Sequence, residues 1–226
     1  MDSKLLRTAR KQLKLTQKEV AVRLGVSQPY WALLESGRRN MPTRLMKRAL
    51  SVLHLPATGL PLSAGPRRNR ADLGRQLAAL GYPGFAYLRH GWRRNPAEVL
   101  LTALAKDSAE ARLVEALPWL LLHYSDMDRE WLTQQARLRN LSNRLGFVVT
   151  LAKRVCERKG DTNSATYYNL EKLETDLMRS KLAREEPFGR SNTTPREMEW
   201  LREHRSPEAS LWNLLTDWKA EYLQYA

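Results

Sequence analysis

The chain is poor in the residues that staple or catalyse. Its 226 residues include one cysteine, Cys156. One thiol cannot close an intramolecular disulfide or supply a thiolate metal cluster. The expectation is a small buried hydrophobe in a cytoplasmic protein. Histidine is scarce too: His54, His90, His123 and His204 are scattered, with no H-E-x-x-H helix and no zinc-like His/Cys spacing. The loops G-x-x-x-x-G-K-[ST] and G-x-G-x-x-G, which cradle nucleotide phosphates, are missing, as is a G-x-S-x-G nucleophile elbow. These gaps predict a protein that is no enzyme, with no catalytic residue, metal or cofactor. Asp126, Asp128 and Glu130 lie close enough to chelate a cation. Such a cluster more often supplies a helix N-cap and the first-turn acids that the helix dipole favours.

Long apolar runs are lacking as well. The longest surrounds Leu117–His123, far short of the ~20 residues that a membrane span requires. Met1–Lys14 is mixed and charged, without the apolar h-region of a signal peptide. No membrane partner is expected. No convincing run of alternating strand residues is present. Acidic residues are missing chiefly from one end. Residues 1–96 hold nineteen Lys and Arg against four Asp and Glu, whereas residues 97–226 hold nineteen against twenty, for a net charge of +14. One end thus suits a polyanion and the rest is balanced. Nucleic acid and an anionic membrane surface both fit charge alone.

What is present is helical periodicity. Leu141, Leu145, Val148, Val149, Ala152 and Val155 recur at helical spacing, as do Tyr167, Leu170, Leu173 and Leu177. Leu211, Leu214, Leu215, Trp218, Tyr222 and Tyr225 read as a further stripe. Ser108, Asp126, Thr194 and Ser206 are plausible helix starts, and Pro195 and Pro207 fall in the first turn, where a missing N–H does no harm. Pro56, Gly59, Pro61, Gly65 and Pro66 mark residues 56–69 as a linker that runs into Arg67, Arg68 and Arg70. That cluster reads equally as a phosphate tracker or a solvated tether. Tyr82, Phe85, Tyr87, Arg89, His90, Trp92, Arg93 and Arg94 interleave aromatics with basic residues. They can stack on nucleic acid, but a loop packed by its aromatics is the commoner arrangement.

The most informative stretch is Leu15–Ser36. Thr16 and Glu19 form a T-x-x-E capping box. Val20, Ala21 and Leu24 give an inner face, and Gly25 ends the helix where positive φ costs little. Ser27 caps the next helix, Pro29 sits in its first turn, and Trp31 and Leu34 turn back to the core. Two short helices joined by a glycine-containing turn, with a small Ala at their crossing, make a helix-turn-helix.

On Gln17, Val20, Ala21, Leu24, Gly25, Val26, Ser27, Gln28 and Leu34, the segment resembles the Cro/lambda-repressor-like, or XRE, family. Glu35-Ser36-Gly37-Arg38-Arg39-Asn40 resembles the family's exit loop. Leu5, Leu6, Ala9, Arg10 and Leu13 resemble its first helix, and Leu45, Ala49, Leu50 and Leu53 a closing helix. The resemblance covers residues 3–55 and implies a domain of about five helices, with the second motif helix in the DNA major groove. It implies base contacts by Gln28, Tyr30, Ala32 and Leu33. Gln28 is suited to adenine N6 and N7, and Ala32 or Leu33 to a thymine methyl. Tyr30 can instead pack over the first helix. Gln17, Lys18, Ser27, Arg38, Arg39 and Asn40 are the expected backbone contacts. The sequence departs from the family at Leu33, where a polar or basic residue is usual, and at Trp31, where a smaller aliphatic is usual.

The expected architecture is all-α: a DNA-binding domain over 1–55, a linker over 56–69, and a larger helical bundle or helical-repeat-like domain over 70–226 for dimerisation or partner binding. The expected function is a sequence-specific transcriptional regulator that binds a double-stranded DNA operator as a homodimer. The segments Asn95–Leu100, Glu115–Leu120 and Asn143–Val149 are similar to regulators paired with nucleotidyltransferase-type toxins. That similarity implies an alternative, an antitoxin that binds a toxin partner and represses its own promoter. The tryptophans Trp92, Trp119, Trp131, Trp200, Trp212 and Trp218 fit a core or a protein interface.

Overall fold

A computed structural model describes residues 3–62, 73–88, 93–106, 111–190 and 193–224. The basic cluster Arg67, Arg68 and Arg70, the residues Arg89, His90 and Trp92, the helix start at Ser108 and Tyr225 lie outside the described residues. The chain divides into two compact units, Met1–Leu62 and Ser63–Ala226. Among the described residues it is all-α apart from one very short strand pair.

The N-terminal unit is built from α1 (Ser3–Gln12), α2 (Gln17–Leu24), α3 (Gln28–Glu35) and α4 (Thr43–Val52), followed by a 3₁₀ turn over Ala57–Gly59. Helices this short are marginal alone, so each is held by what it buries. Leu6 and Ala9 of α1, Val20, Ala21 and Leu24 of α2, Trp31 and Leu34 of α3, and Met46, Ala49 and Leu50 of α4 form one core. Leu53, Leu55, Ala57 and Leu60 complete it. Part of the segment that reads as a linker, Pro56 to Leu62, therefore belongs to this unit, because its apolar residues find room there despite the density of helix breakers. A 3₁₀ turn stands where a fifth helix would be expected.

The C-terminal unit gathers around one helix. It contains α5 (Leu73–Leu80), α6 (Pro96–Leu104), α7 (Ala111–His123), α8 (Arg129–Leu138), α9 (Ser142–Arg158), α10 (Ala165–Met178), α11 (Pro195–His204) and α12 (Pro207–Leu211). The helix α9 is buried along most of its length and packs against α6, α7, α8, α10 and α12, which makes a bundle rather than a stack of repeated pairs. Thr194 and Ser206 cap α11 and α12. Asp128, not Asp126, caps α8 by accepting the Trp131 N–H at 2.9 Å, and Glu130 occupies the first turn. Tyr82 and Phe85 pack edge to face with each other, and Tyr82 with the buried Trp119. Tyr87 stays exposed.

The C-terminal stripe is not a helix. The chain leaves α12 at Trp212, Asn213 takes a left-handed φ of 54°, and Leu214–Leu215 pairs in parallel with Glu186–Pro187 as β2 and β1. Leu211 and Tyr222, which a helical reading would bury, are exposed. Two-residue strands carry no alternation, so spacing alone misassigned the segment.

Candidate nucleic-acid interface

The site is the amino end of α3 and what surrounds it. Thr16 and Glu19 form the predicted reciprocal cap on α2: the Glu19 N–H donates to the Thr16 hydroxyl, while the Glu19 carboxylate accepts from the Thr16 N–H at 2.7 Å. Gly25 ends α2 at a φ of 69°. Ser27 caps α3 by accepting the Tyr30 N–H, and Pro29 sits in the first turn. The turn between the two motif helices is thus set by residues that act locally, which is why the sequence discloses it.

The hydrogen bond from the Thr16 N–H, followed by the one from its hydroxyl, holds the Glu19 carboxyl below its ordinary value. The folded state therefore favours the ionised form. The cap contributes fully above the unfolded carboxyl pKa of about 4.3 and fades as pH falls through the lower folded value. Thr16→Ala is expected to cost the unit about 0.5–2 kcal/mol at neutral pH and to flatten this acid limb. Hydrogen exchange of the α2 amides, followed between pH 6 and 3, reads both effects.

Around the helix axis, the candidate residues fall on three lines. Trp31, Leu34 and Glu35 face the core, all buried. Opposite them, Pro29 and Leu33, one turn apart, form the outermost ridge, and Leu33 is 39% exposed. Gln28 and Ala32 lie on one flank and Tyr30 on the other. Ala32 is half-buried and lines a shallow groove of about 260 Å³ with Ser3, Lys4, Arg7, Gln17, Glu35 and Ser36. It therefore lies closer to α1 and α2 than an outward reading of the helix suggests. Lys18, Ser27, Gln28, Arg38, Arg39 and Asn40 are exposed, and Tyr30 is half-buried.

The orientation of Gln28 is set from the core. The buried Glu35 carboxylate accepts from Arg10 Nε at 2.8 Å and from Gln17 Nε2 at 2.6 Å. The Gln17 side-chain oxygen in turn accepts from Gln28 Nε2 at 3.0 Å. This relay consumes one hydrogen of the Gln28 amide. Its oxygen and second hydrogen remain, which is the acceptor and donor pair that an adenine edge requires. Gln17 thus ties its side chain to Glu35 and Gln28. Its backbone N–H, like that of Lys18, belongs to the first turn, which has no intrahelical partner and suits a phosphate.

Sequence reasoning gave Arg10 and Glu35 no site role. A charged residue one turn after Trp31 on the core face was the available signal, and its partner is 25 positions away. Val22 was also missed. It is 72% exposed on α2, where a polar residue would be expected. Residues 1–62 hold twelve Lys and Arg against three Asp and Glu. Glu35 is held by Arg10 and Glu19 by its cap, so the unit's surface is strongly cationic.

A family model for a helix-turn-helix domain matches residues 3–61. No curated protein and no solved structure matches the chain. The N-terminal unit is a helix-turn-helix domain, in agreement with the XRE-type resemblance of its motif. The similarity of Asn95–Leu100, Glu115–Leu120 and Asn143–Val149 to antitoxins gains nothing from these comparisons. No helix among the described residues is long and apolar enough to cross a membrane.

Proposed function

We propose that the chain is a transcriptional regulator that reads double-stranded DNA by placing the amino end of α3 in the major groove. The observation that carries this reading is the relay from Glu35 through Gln17 to Gln28. It presents a pre-oriented amide at the exposed start of a short helix, on a cationic domain. The ridge of Pro29 and Leu33 offers apolar contact to thymine methyl groups, and Arg38 and Asn40 reach the sugar–phosphate backbone. The chain acts as a homodimer on two half-sites about 34–36 Å apart, and it represses its own promoter.

The test is a mobility shift on the DNA upstream of its own gene. Gln28→Ala is expected to weaken binding to the selected site by about 1–3 kcal/mol while leaving random duplex nearly unaffected. Equal losses on both would reduce Gln28 to a general surface residue and remove base readout from this amide.

The second reading adds an antitoxin role for residues 63–226. What prompts it is the exposure of Leu138 and Leu211 on that unit, together with Tyr168 and Trp200, whose rings are partly covered by Lys172 and His204: each is apolar area that a protein partner could bury. Co-expression with the product of the adjacent gene, followed by co-purification and relief of its toxicity, tests that role separately from DNA binding.

A further inference from the structure

We propose that Arg39 is a positioning residue for Tyr30, fixing the phenol against base edges, and that its main action is not as a separate phosphate anchor. The inference rests on the groove-reading function proposed above. Its basis is the way the exit loop folds back. Gly37 takes a left-handed φ of 73°, a conformation costly for other residues. The chain then returns so that the Arg39 N–H donates to the Leu33 carbonyl at 3.2 Å, an oxygen that also accepts from the Ser36 hydroxyl at 3.1 Å. Tyr30 lies about one turn before Leu33 on the same helix. With its backbone pinned there, Arg39 lays its guanidinium over the Tyr30 ring, 4.9 Å from the centroid.

This arrangement has a consequence for recognition. Tyr30 stands on the flank of α3 opposite Gln28, so α3 offers a fixed group on each side of the Pro29–Leu33 ridge. Gln28 is held from the core by Gln17 and Glu35. Tyr30 is held from the solvent side by Arg39. A planar guanidinium stacks on an aromatic face in a way that an ammonium does not reproduce. The Tyr30 hydroxyl, a donor and an acceptor, is then presented in one orientation. Restricting a tyrosine before binding removes part of the ordering cost of contact.

The experiment uses the full chain. Wild-type protein selects from a duplex library randomised over about two helical turns (~20 bp). The enriched duplex and a scrambled duplex are then titrated with wild type, Arg39→Lys, Tyr30→Ala and the double variant. Arg39→Lys keeps the charge and replaces the planar guanidinium over the ring with a rotatable ammonium. It is expected to shrink the ratio of enriched to scrambled affinity about three- to tenfold. The salt dependence on scrambled duplex should match wild type, because no phosphate charge is lost. In the Tyr30→Ala background the same change should have no further effect on the ratio.

Two results overturn the proposal: a full ratio in Arg39→Lys, which makes charge alone the requirement, or an equal loss with and without Tyr30. A wild-type chain that enriches no duplex removes the groove-reading function itself, and this proposal with it.

Discussion

Truncating Glu35 to alanine is expected to cost the N-terminal unit about 3–5 kcal/mol, the range for breaking a buried ion pair from one side. The Glu35 side chain is 2% exposed, and the Arg10 side chain that it pairs with is 14% exposed. Without the carboxylate, Arg10 keeps its hydrogen bond to the Leu15 carbonyl at 2.8 Å and is left with a mostly buried charge that has lost its Glu35 counter-ion. Gln17 loses the acceptor for its amide. A domain of this length has roughly 3–9 kcal/mol in total, so the loss is comparable with the whole stability. Urea unfolding followed by circular dichroism measures it. The double replacement Arg10→Met with Glu35→Leu separates two roles. Apolar isosteres of a buried pair are often neutral in stability, so the fold should return. Gln17 and Gln28 would remain untethered, so discrimination between duplexes should stay reduced. A Glu35→Ala chain as stable as wild type would show that the pair contributes nothing net. A double variant with full discrimination would show that Gln28 needs no tether.

The pair also marks where sequence reading stops. The elements of the motif were legible because each is decided within a few residues. Thr16 with Glu19, Gly25, Ser27 with Pro29, and the alternation of Trp31 and Leu34 with exposed neighbours are local statements. The cationic end was legible because it is a count. The relay was not, since it joins positions 10, 35, 17 and 28 through tertiary packing, and a lone Glu after a core tryptophan has no unique partner in sequence. The contact between Arg39 and Tyr30 depends on the path of the exit loop. Gly37 hints at that path but does not specify it. In the larger unit, the stripe of α9 stood out because that helix is buried on nearly all sides. Residues 211–222 failed for the opposite reason. Their apolar spacing fits a helix by accident, and the chain breaks at Asn213 to reach a strand partner 28 residues earlier.

The three lines on α3 also explain why the departures at Leu33 and Trp31 are compatible with the motif. Trp31 points into the core and is completely buried, so its added bulk acts on packing and leaves the outer surface unchanged. Leu33 is on the outermost ridge, where, in the proposed groove reading, a leucine gives up a hydrogen bond but retains apolar contact with thymine methyl groups. On the same proposed reading, discrimination then rests on the flanking Gln28 and Tyr30. That division predicts a site in which a central thymine is read by apolar contact with its methyl group and the flanks by hydrogen bonding.

In the larger unit, Trp212→Ala is expected to cost about 3–5 kcal/mol, and Gly146→Ala to destabilise as well, although helix propensity alone favours alanine over glycine by about 1 kcal/mol. Trp212 is completely buried against α9, with its indole N–H donating to the Thr150 hydroxyl at 2.8 Å. Thr150 also bonds the Glu174 carboxylate, which pairs with Lys153. The indole therefore closes a polar relay between α9 and α10 as well as filling volume. Its ring lies over Gly146, one turn before Thr150. A Cβ at Gly146 would fall 2.3–2.5 Å from three ring carbons. A rigid ring cannot bend out of the way, so the whole indole or the helix backbone must shift to admit the methyl. Overpacking of this kind costs about 1–3 kcal/mol, which matches or exceeds the gain in propensity, and a 2.3–2.5 Å approach to three atoms lies toward the costly end. The two sites should therefore be strongly coupled: in a Trp212→Ala chain the methyl at position 146 enters vacated space, and the Gly146→Ala penalty should vanish or change sign. Urea unfolding of the four chains closes the cycle. A Gly146→Ala chain more stable than wild type would mean that the ring can move aside, and that Trp212 does not lock the C-terminal segment onto α9.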